Sequence, residues 1–320
     1  MTGIMGKSND YAAFNINLDS FSEILGYPDN YEDPTYGVIL DRFLDLAQKY
    51  SFKYSVYVIG KDLEDKRYAS AIKKLADEGH EIGNHSWSHD VDLATQKQEE
   101  IEAELKKTHD IINDITGVDP QGFISPGWST SGRLIKTLIR LGYVYDTSVF
   151  PSYLVFPSTA KLLFNYLGDK RWWKIARRNI LVPSFASRQL YYSHGKILEK
   201  SVNAGEKGIW ILPLPTTSGR LAIWHTLAFI YKENKFAKIL KNGLRTIDAF
   251  YYLMHPADLA DRRDLNVKYK VPLERIDVPL KRKMYLLEKS MNTIFESGRK
   301  IVTMKELVSN QVAIRDENTQ

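Results

Sequence analysis

The sequence predicts an α/β protein with mainly parallel strands, closed into a barrel or wound as an open sheet, and three observations carry that prediction. Apolar β-rich runs alternate with helical stretches over most of the 320 residues, the pattern of strands joined by crossover helices. Several of those runs end in polar residues, and strand ends are where α/β enzymes carry their chemistry. With 43% hydrophobic and 26% charged residues the chain can bury a sizeable core, and α/β barrels use this length as one domain.

The elements follow in order. Residues 12–18 form a short strand running into a loop at Asp19-Ser20-Phe21, and residues 26–35, with Pro28, Asp29, Asn30, Asp33 and Pro34, are turn chemistry. Val38, Leu40, Phe43, Leu44, Leu46 and Ala47 have helical spacing across 36–50. A β-rich run over 53–60 is closed by Gly60, a second helix spans 68–78, and residues 80–84 give the third strand. The long helix predicted over 95–116 is rich in Glu and Lys, read as a solvated face. Strands follow at 121–125 and 143–148, separated by a helix at 132–141, and then at 208–212, 250–255 and 300–304.

Between about 150 and 248 the alternation breaks. The chain therefore reads as one domain over 1–320 with an aromatic and basic insertion at about 152–247. That insertion carries Phe156, Phe164, Tyr166 and Leu167, then Lys170-Arg171-Trp172-Trp173-Lys174 and Arg177-Arg178. Such a mixture on apolar helices marks an interfacial membrane surface, a cap on the barrel or a dimer contact. Residues 160–178 are the stretch expected to make any peripheral membrane contact.

Cysteine is absent, which excludes disulfides and Cys-based zinc sites and fits a reducing compartment. The net charge of +5 is too small and dispersed to argue for nucleic acid. Residues 1–11 lack the basic and apolar segments of a secretory signal, and no apolar run is long enough to span a bilayer. The expectation is a cytoplasmic protein, or one peripheral at the inner membrane face, of open oligomeric state.

The chemistry gathers at 79–89, where an apolar run ends in His85-Ser86-Trp87-Ser88-His89. Placed on one helical turn, positions four apart share a face, so His85 and His89 are a ligand pair for one metal ion. Without cysteine, a third ligand must be a His or a carboxylate. Asp19 at the first strand end completes a two-His, one-carboxylate set with open positions, suited to zinc or another divalent ion. His255, in Leu253-Met254-His255-Pro256, stands at another strand end, where it could protonate a leaving group.

At this point the motifs resemble those of the NodB-homology polysaccharide deacetylases. The matching stretches are Asn17-Leu18-Asp19, His85-Ser86-Trp87-Ser88-His89, Phe123-Ile124-Ser125-Pro126-Gly127-Trp128 and Leu253-Met254-His255, with residues 54–60 and 145–151 similar to two further family segments. The resemblance covers about residues 12–151 and 249–307. It implies a distorted (β/α) barrel, TIM-like with seven or eight strands. It also implies hydrolysis of an N-acetyl or related amide on an amino sugar, in a polysaccharide or a lipid-linked glycan precursor. The divalent metal, zinc by expectation, falls to Asp19, His85 and His89. His255 is the proton donor, and Pro126, Gly127, Trp128 and Asp146 are the substrate-side residues, Asp146 alternatively supporting the site from behind.

Two positions depart from the family pattern. Its first motif has two carboxylates, a base and a ligand. In the Asp-x-Asp register Asn17 occupies the base position and Asp19 is the ligand, whereas in the adjacent Asp-Asp register Asp19 is the base and Ser20 the ligand. The first is preferred, although an amide cannot act as a base. Ile124 stands where the family has an Arg that charges and orients the base, so loss of both partners reads as one event. The alternatives to a working deacetylase are a catalytically degenerate, glycan-binding or scaffolding barrel, and a ring-amide hydrolase similar to the allantoinase-like branch.

Overall fold

The sheet grows outward from one strand. The computed structural model describes residues 10–22, 31–165, 167–169, 171–198, 207–265 and 274–319, so the turn expected at 26–35 falls partly outside the described residues. Strand β1, Tyr11–Leu18, is buried along almost its whole length, as a strand with helices on one side and a filled barrel interior on the other must be. It pairs in parallel with β2, Ser55–Val58, and with β8, Phe250–Met254. From β2 the parallel pairing runs through β3, Glu81–Asn84, β4, Gly122–Phe123, and β5, Tyr145–Asp146, to β7, Ile209–Ile211. Seven parallel strands therefore curl in the order β7-β5-β4-β3-β2-β1-β8.

The pattern misses one strand and overextends others, since 121–125 and 143–148 reduce to β4 and β5. Tyr191–Ser193 forms β6, antiparallel to β7 and the end of the sheet. A three-residue edge strand carries too little alternation to stand out. The last strand, β9, Lys300–Val302, pairs with Tyr11–Ala13 while β2 pairs with Asn15–Leu18, so the two share one edge of β1. The sheet is a curled half-barrel, with β6 and β8 unpaired to each other among the described residues.

Helix α1, Val38–Tyr50, buries Leu40, Phe43, Leu46 and Ala47 of the predicted stripe, with Ile39 buried in place of the expected Val38, which is itself exposed. Lys66–Asp77 is α2, started by Asp65, whose carboxylate accepts from Arg67 N at 2.8 Å. Gln98–Thr116 is α3 and Gly132–Arg140 is α4. The insertion supplies α5, Val155–Asn165, α6, Arg171–Ala176, and α7, Leu181–Ser184. The chain then rejoins the sheet at β7 and continues into α8, Glu233–Thr246, α9, Leu280–Phe295, and α10, Met304–Thr319.

The period of two in β1 assigns its faces. Phe14, Ile16 and Leu18 join Phe43, Tyr54 and Met291 in the larger core beneath the helices. Ala13 packs with Tyr57, Ile124, Tyr145 and Leu253 in the barrel interior. Asn15 and Asn17 share the face of Ala13 and so point inward. Because the strands are parallel, the residues following β1, β3, β4 and β8 emerge at one end of the barrel.

Candidate metal centre and proton donor

Asp19, His85 and His89 meet at that end. Asp19 Oδ1 lies 3.1 Å from His85 Nε2 and 3.7 Å from His89 Nε2, and one ligand atom from each residue lies within 4.8 Å of the others. The convergence does not come from a helical turn, as the four-residue spacing suggested. Residues 85–89 are a loop in which Ser86 (φ 64°) and His89 (φ 52°) adopt left-handed backbone. These two conformations fold the loop back and bring the ring centroids to 5.0 Å. Each costs about 1–2 kcal/mol for a residue with a Cβ. Trp128, also at this end, has φ 55°.

Three supports hold the loop against that strain. Asn84, fully buried, accepts from Ser86 N (2.8 Å) and donates to Leu105 O (2.9 Å) and Tyr143 Oη (2.6 Å). Glu104, on α3, accepts from Trp87 N (3.0 Å), Ser88 N (2.9 Å) and Ser88 Oγ (2.9 Å). His85 is fixed by its Nδ1, 2.7 Å from Ile124 O. The sequence reading took the charged side of the 95–116 helix as a solvated face, and Glu104 corrects it: the carboxylate ties down the histidine loop. Nothing in a helical Glu distinguishes this use from solvation until the loop is seen above it.

The donor set fits a cation. A carbonyl only accepts, so His85 Nδ1 carries the proton and, in the neutral ring, Nε2 presents its lone pair toward Asp19. Asp19 Oδ1 is buried and receives no hydrogen bond. Lone pairs of two imidazoles and a carboxylate turned on one point repel each other unless a positive charge lies between them. Burial works against the charge of Asp19, whereas the imidazoles of His85, His89 and His255, where protonated, outweigh it and hold the carboxyl well below its usual range. His89 is pushed down to about 4 by burial, with Asp19 opposing, so its ring is neutral and available as a ligand at neutral pH.

Asn17, Asp19, His85, His89, Trp128 and His255 line one cavity of about 240 Å³. Asn17 Oδ1 accepts from Asn15 Nδ2 at 3.5 Å, which leaves its NH2 as a donor where a general base needs an acceptor. Ser20 turns away and donates to Asp62 Oδ1 (3.0 Å), so the geometry follows the register in which Asp19 sits with the histidines. Ile124 is fully buried in the barrel interior and contributes its carbonyl to the site. Gly127 joins the lining, while Pro126 is buried outside it.

Asp146 lies beneath the site and does not reach the cavity. It is fully buried, and its Oδ1 accepts from Ser148 N (3.0 Å) and Ser148 Oγ (2.5 Å). Ser148 Oγ in turn accepts from Ser125 N at 2.8 Å, so Asp146 supports the turn that carries Gly127 and Trp128. Burial pushes its carboxyl up to about 7.

His255 is held from below. Its N donates to Asp258 Oδ2 at 2.8 Å, and Asp258 Oδ1 pairs with Arg275 at 2.5 Å. Burial opposes the charge of Asp258, but Arg275 outweighs it and holds the carboxyl below its ordinary value. Burial likewise lowers the His255 ring, Asp19 and Asp258 opposing. Lys283, fully buried, donates to Ala257 O (2.9 Å) and Ala260 O (2.6 Å) and fixes the same turn. Sequence reasoning missed these three. Asp258 had a local signal, an acid three residues after a strand-end His and in place to cap the turn; Arg275 and Lys283 come from distant segments and had none.

A parallel half-barrel with a two-His, one-Asp set and a further His at its C-terminal strand ends has the layout of an α/β-class hydrolase whose site could hold a metal ion. Within that class, residues 29–145 match the sequence model of the Polysaccharide deacetylase family. The Helicobacter pylori peptidoglycan deacetylase is 30% identical over 183 residues, covering 52% of this chain and 61% of that protein. The Bacillus cereus peptidoglycan-N-acetylglucosamine deacetylase is 33% identical over 99 residues, covering 31% and 34%. The chain thus spans less than two thirds of these relatives' lengths. A crystal structure assigned to a Mycobacterium smegmatis polysaccharide deacetylase superposes with a TM-score of 0.58 over 96% of this chain and 91% of that one, at 15% identity, and so shares the fold. Over residues 29–145 the chain is thus similar in sequence to the polysaccharide deacetylases, and it shares their fold.

Proposed function

We propose that residues 1–320 form one NodB-like domain that removes the acyl group from an N-acetyl amino sugar in a polysaccharide or lipid-linked glycan precursor. The observation that carries this reading is the convergence of Asp19, His85 and His89 in the cavity that His255 also lines. A divalent cation held there, zinc by its preference for this ligand set, supplies Lewis acidity toward an amide carbonyl and a water molecule. His255 provides the proton that the departing amine requires, from a turn whose backbone Asp258 holds. Asn17 donates a hydrogen bond and orients a group without taking its proton. Gly127 and Trp128 offer one wall to the sugar.

A second reading has a specific observation behind it. Asp19 is the one carboxylate among the described residues lining the cavity, so no second acid stands ready as a base. On that reading the barrel binds a glycan without turning it over.

Two measurements on the purified chain separate these. Metal analysis after dialysis should find about one divalent ion per chain, lost in His85→Ala. Acetate release from N-acetylglucosamine oligomers and from peptidoglycan fragments should occur and depend on His255. A metal-free wild type overturns the site, and metal binding with no acetate release favours the silent barrel.

A further inference from the structure

The insertion differs from the rest of the surface in two independent respects. Of the twelve large apolar side chains exposed among the described residues, eight lie between Tyr153 and Leu198, and the other four sit on separate elements. Phe164 is 75% exposed, Trp173 67%, Leu167 65%, Leu181 57% and Phe185 55%. Single exposed apolar residues are ordinary, but a cluster marks a surface that something covers. Its members are joined in space: α5 packs on α6, and the rings of Tyr153 and Phe185 lie 6.1 Å apart.

The second respect is charge. Residues 152–198 contain eight Lys and Arg against one Asp, a surplus of seven in a chain whose total is +5, so the remainder is net acidic. Two copies meeting through this face would juxtapose like charges, which is costly. The core of a protein interface is depleted of charge, whereas here cations are interleaved with Trp, Phe and Leu. That combination matches the headgroup and acyl boundary of a bilayer carrying negative lipid. No described helix is long and apolar enough to cross a membrane, so the contact is peripheral.

The same segment is fastened to the site. Lys174 pairs with Asp90, the residue after His89, Arg177 Nη2 lies 3.6 Å from Asp92, and Arg178 donates to Gly127 O in the cavity wall. We propose that α5 to α7 are a docking surface for an anionic bilayer, which sets the catalytic cavity beside lipid headgroups and directs it to a glycan carried on a lipid. The substrate part rests on the amide-hydrolase reading above; the docking part does not.

The test uses the full chain sedimented with vesicles of neutral phosphatidylcholine and with vesicles containing about one third anionic phosphatidylglycerol. Binding is expected to the anionic vesicles, to weaken as salt rises, and to fall by about tenfold or more in Phe164→Ser/Trp173→Ser, which removes two apolar anchors. That variant should keep the wild-type unfolding midpoint and its acetate release from soluble N-acetylglucosamine oligomers. The proposal is overturned if the wild type does not sediment with anionic vesicles, if the double variant binds as well, or if the patch is instead buried in a dimer that the double variant dissociates. A chain that binds vesicles but releases no acetate keeps the docking surface and loses the deacetylase reading.

Discussion

Replacing Asp146 by Asn tests the energetics beneath the site without touching the cavity. The carboxyl ordinarily titrates near 3.8 and burial pushes it up to about 7. Between those values the folded chain holds a proton that the unfolded chain has released, so stability falls as pH rises through this window and levels off above it. At about 1.4 kcal/mol per pH unit, the part of the window above about pH 5 is worth about 2–3 kcal/mol. Asn keeps an oxygen for Ser148 N and Ser148 Oγ but has no proton to lose. Its NH2 replaces Oδ2, which has no partner, so the variant pays about 1–3 kcal/mol for a buried donor at every pH. The absolute stabilities therefore mix two effects, whereas the difference in pH slope isolates one. Urea unfolding of both proteins in chelator at about pH 5 and about pH 8 should show wild type losing about 2–3 kcal/mol more than Asp146→Asn over that range. Parallel pH dependences for the two proteins would refute the assignment of a proton to this buried carboxyl.

Asn17→Asp places an acceptor where Asn17 now donates, and acetate release should rise by about 10²–10⁴-fold; an unchanged rate measured with the metal-loaded chain would mean that this position is not the base site. Glu104→Ala removes all three hydrogen bonds to the histidine loop, and metal affinity, followed by competition with a chromogenic chelator, should fall about 10–100-fold while the fold persists. Gly83→Ala puts a Cβ 2.5 Å from the buried Tyr57 ring, and the urea midpoint should drop by an amount equivalent to about 1–3 kcal/mol with the slope unchanged.

Much of the architecture is legible because parallel strands carry their own signal. The apolar runs at 12–18, 53–60 and 80–84 lie within a few residues of β1, β2 and β3, since a strand buried on both faces must be apolar or neutral throughout. The helices follow the 3.6 period for the same reason, each burying one stripe. Short elements escape: β4 and β5 are two residues long and β6 is a three-residue edge, too brief for a period to register.

The linear order of residues was enough to nominate Asp19, His85, His89 and His255, because three of them follow directly on a strand, His89 lies four residues beyond His85, and parallel strands end together. How the histidines meet belongs to the tertiary structure. The expectation of a helical turn failed because spacing four fixes a separation along the chain and leaves the backbone path open; left-handed Ser86 and His89, pinned by Asn84 and Glu104, chose the path. Asp146 shows the same limit from the other side. Its place at a strand end suggested the cavity, but the facing of a two-residue strand is set by neighbours, and here they turn the carboxylate toward Ser148. Local sequence determines which side chains arrive at the end of the barrel. Contacts between segments far apart in the chain, Ile124 on His85, Glu104 on Ser88 and Arg275 on Asp258, decide what each of them faces.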